Sequence, residues 1–349
     1  MSDLAKWKVH GPVHSVKRSY AEWDLAEEEW QAAADHGQGI FRPDGKLEEV
    51  RYRNPDGTVT ARKNLYNEIG LLVETQCWKG DSLEHQTIYS YGDGAGHVST
   101  ISVNREGHRR EEERSTYDSL GRKTTVRFLH PPEGAGHVMY WIEAADQGVT
   151  APGVVTMTTA YDANDLVTEV RFHDAQNAVV TRVRLARDEA GRLVKTELLF
   201  GDRLPFSETA AEAEKPSMPK AEVLAKVFGP SQALSITTYS YNENGLRVER
   251  TIRMGLLGGE RTAFRYDNHG NPIEESRTHE NREYGSDEQG ELHITKEYSD
   301  AQHTRYEYQY DAHGNWTERV IWSRQEPNPN FERRNVERRE IVYYPLAVT

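Results

Sequence analysis

Aspartates at recurring turns are the first residues of this sequence that could bind a metal ion. They are Asp44, Asp56, Asp118, Asp267 and Asp311. A calcium ion needs several oxygen ligands that converge on one point, and each of these turns contributes a single carboxylate. An Asp side chain in a turn also accepts a hydrogen bond from the backbone two residues on, which closes the turn. Turn closure is therefore the favoured role, and no metal site is predicted.

The histidines and acidic pairs do not form a recognisable catalytic motif. None of the 14 histidines lies in a His-Glu-x-x-His pattern, and His269 and His313 occupy the same position in two copies of one turn. The sequence contains no Gly-x-Ser-x-Gly, phosphate loop or dinucleotide fingerprint. Acidic pairs could serve a hydrolase, but any charged sheet offers them. We therefore predict that the chain is not an enzyme and needs no cofactor.

Aromatic side chains are the better candidates for recognition. The sequence has 18 Tyr, 7 Trp and 8 Phe. Aromatic rings along one face of a sheet could stack on sugars or anchor a protein partner. They could equally serve as cross-strand packing within the sheet, which is the favoured interpretation. Trp316 and Trp322 are the candidates for contact with a partner.

A repeated turn motif must position these residues. Its clearest copy is the heptad YDAHGNW at Tyr310, and further copies begin at Tyr66, Tyr117, Tyr241 and Tyr266. Degenerate copies begin at Phe41, Tyr91, Tyr161 and Arg187. Asp or Asn can close an Asx-turn, and Gly three residues later can adopt the positive φ of a bulged type I hairpin. The predicted structural turn residues are Asp118, Gly121, Gly245, Asp267, Gly270, Asp311 and Gly314.

The segments between the turns alternate with period two, which indicates strands. Tyr306, Tyr308 and Tyr310 point one way, and the residues between them point the other way. Several copies are spaced by 25 residues, as from Tyr241 to Tyr266, which is room for two strands and two turns. We predict an all-β fold: an antiparallel meander of about 16–20 strands, curled or partly barrel-like, because such long sheets rarely stay flat.

Residues 1–40 and 202–233 depart from this rhythm. Val13 to Tyr20 resembles a first strand, whereas residues 22–35 fit either a solvated helix or a hairpin; the hairpin is favoured. Residues 202–233 are predicted to be a short helical insertion, whose stripe includes Leu224, Val227 and Phe228. This insertion packs on the sheet or docks a partner. Residues 41–201 and 234–349 hold the repeats, within one continuous repeat domain.

Composition restricts the location and the partners. The hydrophobic fraction is 36%, below the roughly 45–50% of typical domains, which favours a sheet with one face in water. The net charge of −13 disfavours nucleic acid. Cys77 is alone, and residues 1–18 lack the apolar core of a signal peptide. No transmembrane stretch is visible, so we expect a cytoplasmic protein without a membrane partner.

The motif resembles the YD repeats of bacterial Rhs-type proteins. The resemblance covers roughly residues 11–344, and the segments Asn315–Arg319 and Arg338–Tyr344 look like the closing unit of small stand-alone members. Long members enclose a toxin or adhesive cargo in a β-sheet shell, but this chain shows no toxin module after the repeats. The resemblance implies a non-catalytic scaffold or protein-interaction protein. The alternatives are an immunity-like acidic protein that blocks a basic toxin and a carbohydrate-binding sheet.

Overall fold

The computed structural model describes residues 3–92, 96–129, 139–142, 144, 147–150, 153–201, 233–255, 258–286 and 292–345. One short helix, α1 (Asp3–Lys6), precedes the strands. The strands are β1 (Val13–Asp24), β2 (Glu29–Trp30), β3 (Ala34–Phe41), β4 (Leu47–Arg53), β5 (Val59–Tyr66), β6 (Leu72–Lys79), β7 (Ser82–Tyr91), β8 (His97–Asn104), β9 (Arg109–Tyr117), β10 (Lys123–Phe128), β11 (Met139–Ile142), β12 (Gln147–Thr150), β13 (Thr156–Tyr161), β14 (Val167–His173), β15 (Val179–Arg187), β16 (Leu193–Phe200), β17 (Ala233–Tyr241), β18 (Arg247–Arg253), β19 (Gly258–Tyr266), β20 (Pro272–Ser286), β21 (Leu292–Tyr310), β22 (Trp316–Gln325) and β23 (Glu332–Tyr343).

Twenty of these strands form a closed antiparallel barrel. Neighbours along the chain pair with each other from β3 to β10, β10 pairs with β13, and the ladder continues to β23. The first strand, β1, pairs with β3 on one side and with β23 on the other, which closes the ring. The predicted all-β meander is confirmed. Closure leaves no sheet edge unpaired within the ring.

The segment that was ambiguous in sequence is a hairpin. β2 pairs with the end of β1, with Trp23 opposite Trp30, and β3 pairs with β1 further along. Residues 22–35 therefore include the ends of β1 and β3 and the short strand β2, and no helix. Of the predicted helical insertion, Ala233 begins β17; residues 202–232 lie outside the described residues.

The repeated motif turns share one rim of the barrel. In the turn at Asp118, the Arg122 carbonyl accepts the Asp118 N–H at 3.0 Å, and the Asp118 side chain accepts the Leu120 N–H at 2.9 Å. Gly121, Gly245, Gly270 and Gly314 all have positive φ. Asp165, which replaces glycine in the copy at Tyr161, keeps the turn with φ +62°. Gly57 and Gly107, which also have positive φ, lie in turns of the opposite rim.

The two faces of the wall differ in burial. Directly paired residues share a face, so the register lets one face be followed around the whole ring. One face carries a band of buried residues: Val50, Thr75, Ser115, Val126, Val170, Val183, Thr196, Thr237 and Thr262. The other face is exposed and charged at Lys17, Arg114, Arg171, Arg184, Arg265, Arg305 and Glu307. The buried face is the inner face of the barrel, because two chain segments inside the ring cover part of it.

Two chain segments pack against the inner face. The first follows α1: Val9 and the Trp7 ring lie against Phe41, and Gly39 leaves room for the indole. The second is the β11–β12 hairpin, whose Ile142 and Val149 join a buried cluster with Val170, Phe172 and Val183 of the wall. These segments occupy part of the barrel interior. In the described part of the chain, no helix is long and apolar enough to cross a membrane.

Candidate functional site

Tyrosines of the motif form hydrogen bonds to the backbone of the preceding repeat. The Tyr66 hydroxyl donates to the Leu47 carbonyl at 2.8 Å, where Leu47 is the second residue after the glycine of the preceding turn. The same link joins Tyr91 to Leu72, Tyr161 to Lys123, Tyr241 to Leu193 and Tyr266 to Arg247. These hydroxyls therefore hold neighbouring hairpins in register along the motif rim.

In the last two units the motif carboxylate accepts a tyrosine hydroxyl, while the Tyr308 hydroxyl donates to the Pro272 carbonyl, the second residue after Gly270. The Tyr310 hydroxyl donates to Asp267, and the Tyr343 hydroxyl donates to Asp311. The rings of His269 and His313 stack on these tyrosines, each with centroids 4.2 Å apart. The aspartates and histidines singled out in the sequence thus have structural partners here. No group of three or more His, Cys, Asp or Glu within the described ranges could hold a metal ion.

Asn315 anchors the segment that enters the barrel. Its side chain accepts the His10 N–H at 2.7 Å and donates to the His10 carbonyl at 2.9 Å and to the Tyr343 hydroxyl at 2.7 Å. Asn315 is only 1% exposed, so these bonds are made away from water. They fix the direction in which residues 3–12 leave β1.

A cluster of cations lies on the inner face where the ring closes. Arg18 of β1 is directly opposite Arg339 of β23, and Arg319 of β22 is directly opposite Glu337. Arg319 donates to Glu337 at 2.7 Å. Glu337 is the one carboxylate in the cluster among the described residues. Like charges placed directly opposite each other destabilise a sheet, so other groups must hold Arg18 and Arg339 in place.

Aromatic rings hold these guanidinium groups. Arg339 lies 3.4 Å from the centroid of Trp316, and Arg18 lies 4.1 Å from that of Trp7. Arg339 is 9% exposed. Stacking on an aromatic face stabilises a desolvated cation, but it does not neutralise its charge. The Nε atoms of Arg18, Arg319 and Arg339 are buried and make no hydrogen bond to any described residue.

Lys8 adds a fourth cation from inside the barrel. Burial lowers the pKa of its ammonium group, and the charges of Arg319, Arg339 and Arg247 lower it further. Arg247 begins β18, which is separated from β1 by β19–β23 in the ring. Its charge therefore adds to the positive field at Lys8 from a strand that does not pair with β1. The inner face near the ring closure is therefore strongly positive, although the whole chain is acidic.

A cavity of about 200 Å³ opens beside this cluster. Arg18, Tyr20, Trp316, Arg319 and Glu337 line it, together with Ser19, His36 and Arg338. A larger groove of about 550 Å³ lies over β1 and β3–β6 and includes outer-face residues. Two ion pairs lie within it, with Lys17 3.0 Å from Asp35 and Arg51 2.8 Å from Glu49, and Arg53, Lys63 and Asp81 also line it. The smaller cavity is the stronger candidate site, because three arginines and one carboxylate line it, whereas four cations and three carboxylates line the groove.

The predicted partner-binding residues fall in different places. Trp316 is 4% exposed and lies beneath Arg339, whereas Trp322 is half-buried beneath Arg305 and Arg333. Leu224, Val227 and Phe228 lie outside the described residues. The sequence did not reveal Arg18, Arg319 and Arg339, because an arginine in a strand usually lies in water. The one signal in the sequence was that these arginines alternate along their strands with the same period as nearby tyrosines, which places them on the same face.

Comparisons with known proteins give distant likenesses. No family model and no curated protein matches the chain. Solved structures that match include porin-like proteins of Bacteroides uniformis (11% identity, 95% of this chain and 97% of that one, TM-score 0.30) and Bacteroides vulgatus (11%, 96% and 99%, TM-score 0.19). The Tc holotoxin pore of Photorhabdus luminescens matches at 14% identity and TM-score 0.19. That match covers 85% of this chain but only 19% of the toxin chain.

These findings correct several predictions. The predicted membership of the YD-repeat proteins is corrected, because no family model matches the chain and the structure is a closed barrel of twenty strands. The functional predictions are corrected with it: the scaffold role and its toxin-blocking and carbohydrate-binding alternatives. The same holds for the predicted protein or carbohydrate partner, for the absence of a membrane partner and for the cytoplasmic location. What the structure shows is the fold, a closed antiparallel barrel of twenty strands. That the chain is not an enzyme stays a prediction.

Proposed function

We propose that this protein is a channel-like barrel that passes small polar solutes through its lumen. Closure of the ring is the observation that carries the proposal. Barrel diameter grows with strand number, and barrels of about 16–18 strands already leave an aqueous channel. Twenty strands at about 4.8 Å spacing and a tilt of about 40° would give a barrel roughly 40 Å across from backbone to backbone if circular, and the inward side chains make the lumen narrower.

The inner face supports an aqueous lumen. Tyr89, Tyr161, Phe264, Tyr306 and Tyr308 face inward and are only half-buried, whereas a filled core would bury such rings completely. Charged groups such as Arg319 and Glu337 share this face. Water and polar solutes can therefore contact the wall between the two internal segments. Those segments narrow the passage, as internal plugs do in some large barrels.

The outer face favours a second candidate function. Exposed arginines on it pair with acidic neighbours, as in Arg265 with Glu274 at 2.7 Å and Arg338 with Glu318 at 2.8 Å. An arginine that faces lipid at the bilayer midplane costs about 2–4 kcal/mol. The second candidate is therefore a receptacle, in which the lumen retains a polar solute instead of conducting it.

Bilayer reconstitution separates the two functions. The purified full-length chain would be added to liposomes for flotation and to a planar bilayer for conductance. The channel proposal expects flotation with the vesicles and discrete conductance steps. A folded protein, verified by its β-sheet circular dichroism, that stays in the aqueous phase and gives no conductance would contradict the channel. Retention of a radiolabelled polar solute on gel filtration would then support the receptacle.

A further inference from the structure

We propose that the 200 Å³ cavity at the ring closure, which Arg18 and Arg319 line, is a binding site for a phosphate group, with Arg339 directly opposite Arg18 on the same face. The site lies on the inner face, where β1 meets β23 and β22. Its ligand is inorganic phosphate or a small phosphate monoester. Neither the closure of the barrel nor conduction through it requires this site.

The charge balance points to an anion. Lys8, Arg18, Arg319 and Arg339 carry four positive charges, and Glu337, paired with Arg319, is the one carboxylate among them. No described carboxylate lies within ion-pair distance of Arg18 or Arg339. An unpaired buried charge is costly. A protein that keeps such charges together gains most from a ligand with more than one negative charge, and phosphate monoesters carry about −1.5 to −2 at neutral pH.

The donor geometry points to an oxyanion. Three guanidinium Nε atoms are buried without a hydrogen-bond partner among the described residues. Guanidinium groups bind carboxylate and phosphate oxygens through parallel N–H donors. Stacking of Arg339 on Trp316 and of Arg18 on Trp7 fixes the planes of two of these groups. Preorganised donors lose less conformational entropy when the ligand binds.

The size of the cavity limits the ligand. Its volume of about 200 Å³ equals the share of about seven water molecules in liquid water. This is enough for a phosphate group with a small substituent. Tyr20 and Ser19 also line the cavity and offer hydroxyl groups. A nucleic acid backbone is too large to enter, so the ligand is a free small molecule.

Calorimetric titration tests the site. The full-length protein in chloride buffer at neutral pH would be titrated with sodium phosphate, with glycerol 3-phosphate and with succinate. We expect saturable binding of one or both phosphates and none of succinate. Arg18→Gln should weaken binding about tenfold, equivalent to 1.4 kcal/mol. Arg305→Gln, an exposed outer-face arginine that pairs with Glu307 at 2.7 Å, is the matched control and should change the affinity less than about twofold.

Several results would overturn the proposal. They are the absence of saturable phosphate binding, binding of succinate alone, and equal weakening by Arg18→Gln and Arg305→Gln. Arg319→Gln is a second variant, although it leaves Glu337 without its partner and could unfold the protein. Arg18 has no ion pair to lose, so its variant keeps the test decisive. Because the titration is done without a bilayer, its outcome is separate from the test of conduction.

Discussion

Individual turn residues explain why the repeats recur. Gly314 has φ +75°, and a Cβ atom there would lie 3.5 Å from the His269 ring, an ordinary contact distance. Space therefore does not select glycine; the backbone conformation does. Its neighbour Asp311 accepts the His313 and Asn315 N–H groups, each at 2.9 Å. Glycine and aspartate thus act together, one permitting the turn and the other satisfying its backbone.

Substitutions of Gly314 should separate backbone strain from side-chain contact. Gly314→Val should be about 1–2 kcal/mol less stable than Gly314→Asn, because asparagine tolerates positive φ and a β-branched residue does not. Urea denaturation of both variants measures the difference. Gly245 is the control position, because it has φ +76° and a Cβ atom added there would meet no other atom within 4 Å. Equal stability of the two Gly314 variants would contradict the left-handed turn.

The carboxylate of Asp311 should make stability depend on pH. Burial alone raises its pKa, but hydrogen bonds from Tyr343, Asn315 and His313 outweigh burial and hold the pKa below its ordinary value. A lowered folded-state pKa stabilises the protein above the unfolded pKa of about 3.9, and this contribution is lost as the pH falls through the folded value. Wild type should therefore exceed Asp311→Asn in melting temperature at pH 6, and the gap should shrink toward pH 3. A constant gap would contradict this assignment.

At the residue scale, the roles of Asp and Gly in the motif could be predicted, but the hydrogen-bond partner of its tyrosine could not. Asp and Gly act within their own turn, so local sequence is enough to predict them. The Tyr66 hydroxyl instead reaches Leu47, 19 residues earlier, and that contact depends on the pairing of whole hairpins. The arginine cluster joins β1 to β22 and β23, from the two ends of the chain. No local pattern encodes such a meeting.

Elements inside the barrel were the least predictable. Residues 3–12 and the β11–β12 hairpin lie outside the repeat rhythm, and each buries a few apolar side chains against the inner face. Val9 and Trp7 give no periodic signal, because the segment is held by tertiary contacts and not by a regular face. Strand positions, by contrast, follow from alternation, as in β21, where Arg305, Glu307 and Gln309 are exposed and the tyrosines between them are half-buried.

The anchor of the N-terminal segment can be tested with equivalent residues of two repeats. Asn315→Ala leaves the His10 N–H and carbonyl without their partner and should cost about 2–4 kcal/mol. Asn271 occupies the same motif position but bonds only Tyr310 among the described side chains, at 3.0 Å, and Asn271→Ala should cost about 1 kcal/mol. Urea denaturation measures both costs, and limited proteolysis near His10 should accelerate only in Asn315→Ala. Equal costs would mean that the segment is not held by Asn315.

At the scale of the molecule, closure of the ring removes the unpaired edges that an array of repeats would otherwise have. An open array of hairpins would have two unpaired edges, and its end strands would need protection. Here β1 and β23 satisfy each other, and the Tyr344 hydroxyl donates to the Phe41 carbonyl at 2.6 Å across the same junction. A tyrosine hydroxyl thus also bonds a backbone carbonyl of the first hairpin, next to the junction of the first and last strands. The sequence predicted a curled sheet, but alternation within hairpins contains no information about whether the first and last strands meet.

Closure makes a specific prediction for cross-linking. Lys17 and Glu340 are direct partners across the β1–β23 junction, and both are exposed on the outer face. Opposed residues in an antiparallel pair have Cα atoms about 4.5–5.5 Å apart, within the range of a disulfide. In a Cys77→Ser background, Lys17→Cys with Glu340→Cys should therefore oxidise to a disulfide almost completely under mild conditions.

The control pairs Lys17→Cys with Glu307→Cys, an exposed outer-face position on β21. The strands β22 and β23 separate it from β1, so at about 4.8 Å per strand its Cα atom is beyond the roughly 7 Å limit for a disulfide. Mass spectrometry of the non-reduced proteins counts the free thiols. The closed ring predicts a disulfide in the junction pair, none in the control, and a higher melting temperature for the cross-linked protein, because the disulfide restricts the unfolded chain. Free thiols in a folded junction variant would mean that the ends of the sheet do not meet.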